Sequence, residues 1–301
     1  MPDPRRLLLL LLALLTPLAP APAFQKTGAK GEALLERVAV LGASLSAGHG
    51  LGNGPGNEPL HLSSVIEAGL LGKHGPVLDG SSLMTFVDPS GSSKTALAAL
   101  EKRDPTLVVA LDYLFWFGYG TRWGGEKERL AALELGLASL EGLRCPVLLG
   151  DFPDMRSALQ AKVHVLPPKA VPDPETLAKL NERLAAWAKQ HSNVVVVPVS
   201  KVMGSLLAHE EVRVGSNLWR KEAVPGLLQE DGLHPTLEGT TGLWIFAVER
   251  LLEARADVPR KDFECNAGTL AKKLSPDLKL LVVQEPVPSQ GGKSAPVRSV
   301  H

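Results

Sequence analysis

The sequence predicts an α/β protein, a three-layer α/β/α sandwich around a mostly parallel five-stranded sheet. Three observations carry this. Short apolar runs alternate with segments of helical period along the chain. The most apolar run, Val194-Val195-Val196-Val197-Pro198-Val199, is β-branched without polar alternation, so both its faces need cover, as in a parallel sheet. Polar residues able to do chemistry follow directly on the runs, where open α/β sheets gather their functional groups.

The elements follow in order. Residues 1–23 hold Arg5 and Arg6, an apolar run from Leu7 to Leu15, and an A-x-A-like ending at Ala21-Pro22-Ala23. This reads as a secretory signal peptide cleaved after Ala23, and implies an exported protein, periplasmic or extracellular. The run is short of the ~20 apolar residues a membrane span needs. No stable membrane insertion is therefore expected after processing. The expected domain covers 34–258. Its strands are placed at 38–41, 77–78, 107–111, 147–149 and 194–199, and its helices at 60–71, 93–102, 126–140, 174–190 and 236–256. In the fourth helix Leu177, Leu180, Leu184 and Trp187 form one apolar face. Residues 259–301 are expected to form a C-terminal extension, partly disordered, with an edge strand near 278–283.

Composition excludes several classes. Acidic and basic residues balance at 32 each, with no basic cluster interleaved with aromatics, so no nucleic-acid partner is expected. The histidines show no ligand spacing such as H-x-x-x-H, so no metal is assigned, and no cofactor is expected. Cys145 and Cys265 either pair or remain buried thiols.

Two segments carry candidate chemistry. Ser44 follows the first apolar run in Gly42-Ala43-Ser44-Leu45-Ser46-Ala47-Gly48. Gly42 permits tight approach, and a strand-to-helix turn would expose the hydroxyl beside free amides. A plain capped turn explains the same residues. Asp231-Gly232-Leu233-His234-Pro235 lies far downstream. A carboxylate three residues before a histidine can reach that ring, fix its tautomer and stabilise its cation. Together they supply a nucleophile, a base and an orienting carboxylate.

These two segments together resemble the SGNH hydrolases, also called GDSL-type esterases and lipases. Residues 42–48 are similar to the family's G-D-S-L-S-x-G block, with Ala43 in the usual Asp position, and residues 231–235 to its D-x-x-H-P block. The resemblance spans about 38–252. It implies a flavodoxin-like sheet and a serine esterase working through an acyl-enzyme, with Ser44 as nucleophile, His234 as base and Asp231 as its partner. The substrate would be a small-molecule, polysaccharide or lipid ester. Asp88-Pro89-Ser90-Gly91-Ser92 resembles the second block, which assigns the Gly91 amide to an oxyanion. The third block departs: G-x-N-D is expected, but Ala110-Leu111-Asp112-Tyr113 has no Asn. An ionised Asp112 facing the site would repel an oxyanion. Asn53 or Asn57 is then a substitute donor.

The aromatic group Tyr113, Phe115, Trp116, Phe117, Tyr119 and Trp123 suggests a substrate wall, with Trp116 and Tyr119 nearest the site. Asp151 and Asp154, after the fourth strand, read as turn caps or substrate contacts. Two alternatives to the esterase remain: an SGNH-fold binding or structural protein with little turnover, and an acyltransferase.

Overall fold

The computed structural model describes residues 34–120 and 124–285. The expected signal peptide and Trp123 lie outside them. Five strands form one parallel sheet: β1 (Val38–Gly42), β2 (Leu78–Ser81), β3 (Leu107–Ala110), β4 (Val147–Gly150) and β5 (Val194–Val197). Their order is β2-β1-β3-β4-β5. Every pairing is parallel. This is the flavodoxin-like order, whose switch point lies between β1 and β3.

The helices are α1 (Leu62–Gly69), α2 (Pro89–Glu101), α3 (Phe115–Tyr119), α4 (Glu126–Leu140), α5 (Pro174–Ala188), α6 (Val199–Leu207), α7 (Leu237–Ala254) and α8 (Ala267–Leu274). Helices α2, α4 and α5 pack side by side, and α1, α7 and α8 form a second group. The sheet is sandwiched between them. All residues of β1, β3 and β4 are buried, as unalternated apolar strands require. Each buried Val or Leu side chain contributes roughly 1.5–3 kcal/mol of transfer free energy, so this layer dominates stability.

Several boundaries differ from expectation for local reasons. Helix α2 starts four residues early because Asp88 caps it, accepting from the Gly91 amide at 3.1 Å, and Pro89 occupies its first turn. β5 stops at Val197 because Pro198 has no N–H for the ladder; the chain turns into α6, which the apolar run concealed. Residues 209–231, whose sequence has little clear periodicity, contain β6 (Val212–Val214) and β7 (Asn217–Trp219). With β8 (Val283–Gln284) they make a small antiparallel sheet. The expected strand in the extension is thus shorter and further along.

Segment 259–285 packs onto the sandwich. The carboxylate of buried Glu238, in α7, accepts from the Trp219 indole at 2.8 Å and from the amides of Leu281 at 2.9 Å and Val282 at 2.7 Å. Cys145 and Cys265 are free thiols, each half-buried. No helix among the described residues is long and apolar enough to cross a membrane.

Candidate active site

Ser44 sits two residues beyond β1, at the carboxyl edge of the sheet. No regular helix follows it directly. Residues 43–49 instead wind through a compact turn, with Ala47 N–H donating to the Ala43 carbonyl at 2.8 Å and His49 N–H to the Ser44 carbonyl at 2.9 Å. Gly42 is required here by close approach. A Cβ on it would stand 2.1 Å from Ser46 Oγ and 2.2 Å from Asp112 Oδ1.

The second segment precedes α7, with Thr236 as that helix's cap. Asp231 shapes the turn: its Oδ1 accepts from the amides of Leu233 and His234, both at 2.9 Å. Gly232 takes the left-handed φ of +62° that closes the turn. Oδ2 is left for the ring, 2.7 Å from His234 Nδ1. His234 Nε2 lies 2.8 Å from Ser44 Oγ. The three residues proposed from sequence therefore form one hydrogen-bonded chain. A carboxylate only accepts, so Nδ1 carries the proton and Nε2 offers its lone pair to the serine hydroxyl. Burial alone would raise the Asp231 pKa. The His234 side chain and the amides of His234 and Leu233 outweigh it, and bring the group down to about 2.

Asp112 occupies the position where the resemblance expects Asn, and it turns toward the serine loop. Its Oδ2 accepts from the amides of Leu45 at 2.9 Å and Ser46 at 3.2 Å, and Oδ1 from Ser46 Oγ at 2.5 Å. Burial pushes its pKa up against these bonds. Asp112 is thus an acceptor that secures the nucleophile's turn, not a donor to an oxyanion.

Other assignments need correction. The Gly91 amide is committed to capping α2 through Asp88. Asn53 donates to Asn57 at 2.9 Å, in an exposed part of a glycine-rich loop, residues 48–59. By contrast, no hydrogen bond to the Ser44 amide is found among the described residues. That amide remains available to an oxyanion.

A small, mostly apolar cavity opens beside Ser44 and His234, with a free volume of about 40 Å³. Leu45, Leu111, Phe115, Met155, Met203 and Leu233 line it, with Asp112 and Asp151 at its polar edge. The aromatic wall residue is Phe115, not Trp116 or Tyr119. Trp116 packs edge-on against Phe115 at 5.1 Å. Tyr119 stacks under Phe115 at 4.2 Å and donates its hydroxyl to the Pro153 carbonyl. Both hold the wall from behind. Asp151 caps α6, accepting from the Ser200 amide at 2.7 Å and hydroxyl at 2.5 Å, and burial raises its pKa. Asp154 is exposed to Arg156, 2.5 Å away, which lowers its pKa. A larger open groove of about 600 Å³ runs along α8 and residues 280–284. None of these chemically active residues lines it, so chemistry rather than size locates the site.

Two residues near the site went unnoticed in the sequence. The His49 ring lies 4.3 Å from that of His234, tilted by 38°. Its pKa is lowered by burial, then by the neighbouring His234, with Asp231 opposing. Gln229 laces the two loops together, donating to the carbonyls of His49 at 2.7 Å and Pro235 at 2.8 Å. The contacts of His49 with His234 and with Gln229 join segments about 180 residues apart, beyond the reach of local spacing.

No family model matches the chain, and no curated protein matches it in sequence. Solved structures similar to it include a lipase/acylhydrolase from Enterococcus faecalis, at TM-score 0.44 and 17% identity, covering 77% of this chain and 99% of that one. Another is a GDSL-like lipase from Bacteroides thetaiotaomicron, at TM-score 0.41 and 15% identity, over 74% of this chain and 89% of the other. A third is the psychrotrophic esterase EstA from Pseudoalteromonas, at TM-score 0.40 and 13% identity, over 74% and 97%.

Proposed function

We propose that this protein is an exported serine hydrolase of SGNH type that cleaves carboxylic esters through an acyl-enzyme. The observation that carries the reading is the unbroken chain from Ser44 Oγ through His234 to Asp231. In this reaction Ser44 attacks the ester carbonyl while His234 Nε2 takes its proton. Asp231 stabilises the imidazolium so formed. His234 then passes the proton to the leaving alcohol. Water, activated by the same nitrogen, releases the acid.

Charge develops on the carbonyl oxygen, and the Ser44 amide, to which no hydrogen bond is found among the described residues, is the donor left for it. Losing one oxyanion donor costs on the order of 10²–10³ in rate in a known case, so an enzyme built this way is slower than one with a full set. The cavity volume of about 40 Å³ bears on substrate size. Drug-sized ligands need roughly 300 Å³ or more. A short acyl group fits; a long chain would have to leave along the surface.

The test is hydrolysis of p-nitrophenyl acetate, beside a Ser44→Ala control and fluorophosphonate labelling. Turnover and labelling lost together in the control support the reading. No turnover and no labelling in the unaltered protein would favour a binding protein that keeps the triad. The engaged Asp112 and Gly91 groups are the specific observations behind that second reading. Product analysis with added alcohol distinguishes acyl transfer from hydrolysis.

A further inference from the structure

We infer that His49 and His234 form a zinc site at the mouth of the cleft, through which the cation reversibly switches the proposed hydrolase off. The site itself stands on geometry; only its inhibitory consequence rests on the hydrolase reading. One donor atom from each of His49, Asp231 and His234 lies within 4.8 Å of the other two. Two of these residues are imidazoles, the nitrogen donors that zinc favours.

The third residue plays the supporting part. Metal-bound histidines commonly donate their second ring N–H to a carboxylate, which sets the tautomer and raises ligand basicity. Asp231 Oδ2 already holds His234 Nδ1 in this manner at 2.7 Å, leaving Nε2 facing outward to Ser44. His49 brings the second nitrogen. Its backbone is tied at both ends, through its amide to Ser44 and through its carbonyl to Gln229. Its ring is exposed, and no hydrogen bond to either ring nitrogen is found among the described residues.

Zinc–nitrogen bonds of about 2.0–2.1 Å put two tetrahedral ligands roughly 3.3 Å apart. The donor separation of up to 4.8 Å is wider than this, so binding requires the exposed His49 ring to turn toward His234. Water fills the remaining positions. Zinc on Nε2 occupies the lone pair that accepts the Ser44 proton, so nucleophile activation stops until the metal leaves. Magnesium and calcium, which prefer oxygen ligands, have no comparable set here.

Zinc chloride titration of ester hydrolysis tests the consequence. Chelator competition on the Ser44→Ala variant tests binding without turnover. Expected results are inhibition by zinc reversed by EDTA, no effect of magnesium, and one zinc bound per Ser44→Ala chain. His49→Asn should weaken both effects by at least about tenfold, each rate being normalised to that variant's own metal-free rate. A thermal melt checks that His49→Asn is folded, and His49→Cys, which restores a zinc ligand, should recover the binding. Zinc binding unchanged by His49→Asn, or no binding at all, overturns the proposal. Zinc binding in a protein that hydrolyses no ester leaves the site standing and removes the hydrolase reading alone.

Discussion

Two buried carboxylates, Asp231 and Asp112, each organise a tight turn beside Ser44, and they are tuned in opposite directions. Each accepts three hydrogen bonds, two of them from backbone amides of the turn it serves. Asp231 is lowered to about 2, whereas Asp112 is raised. Desolvation is the largest influence on both. The third partner differs, a histidine ring for Asp231 and the hydroxyl of Ser46 for Asp112, and so does the balance between burial and hydrogen bonds. For Asp231 the bonds from His234 and the two amides outweigh that burial; for Asp112 the bonds from Ser46 and Leu45 do not. In the proposed reaction, one carboxylate would stabilise the imidazolium that forms on His234. The other is fitted to hold a loop.

Removing the reactive member of this contrast should have the largest effect. Asp231→Asn keeps the shape of the turn but no longer holds His234 in the tautomer that bares Nε2. A fall in kcat of about 10⁴ is expected, as for the corresponding change in a serine protease triad. The decisive measurement is single-turnover acylation of the variant, with a cooperative melt showing that it is folded. A fall of less than tenfold would mean that the carboxylate is structural and that the two acids are alike.

Asp112→Ala should reverse the pattern, damaging stability before chemistry. It strands the amides of Leu45 and Ser46 and the hydroxyl of Ser46 in a buried turn. Each unsatisfied donor costs about 1–3 kcal/mol, offset in part by the relief of burying a carboxylate. A net loss of roughly 2–4 kcal/mol in urea unfolding is expected. Unchanged stability would show that the turn holds itself.

How much of this was legible in sequence follows from range. Ser44, Asp231 and His234 were found because each group's immediate chemistry is local: a serine past an apolar strand, an acid three residues before a histidine. The parallel sheet was legible in the unbroken valines of 194–197. The role of Asp112 was half legible. Its charge was noticed, but its attachment to residues 45 and 46 depends on β1 and β3 lying side by side, which fixes where their carboxyl ends meet. His49 and Gln229 were invisible because their partners lie on the far segment of the chain. Phe115 and Trp116 are neighbours in sequence, and only the phase of the short helix α3 decides which one faces the cavity.

Acid titration should separate the two carboxylates by sign. Asp231 binds protons less readily folded than unfolded, so its contribution of about 2 kcal/mol is present above pH 3.8 and lost as pH falls toward 2. Asp112 is raised, so protonation favours the folded state, and lowering the pH through its folded pKa adds stability. Urea unfolding across the acid range should therefore show Asp231→Asn with a flatter decline at the acid end. Asp112→Asn should lack the stabilisation that precedes it. Parallel curves for the two variants would contradict their opposite tuning.

The smallest expected effect is the most informative about the altered third block. In Asp112→Asn the amide oxygen can still accept from Leu45 and Ser46, while its nitrogen donates to Ser46 Oγ, which turns from donor to acceptor. The turn keeps its bonds and loses only its charge. An anion at position 112 opposes negative charge forming on a substrate oxygen beside Ser44, so its removal should raise kcat by roughly three- to tenfold, about 1 kcal/mol of barrier. Stability at neutral pH should rise slightly, because a desolvated carboxylate is gone. Steady-state hydrolysis of p-nitrophenyl acetate by the two proteins at one pH reads this directly. If the variant is instead tenfold slower with an unchanged melt, the negative charge is used in the reaction, and the Ser44 amide is not left to bind the oxyanion against it.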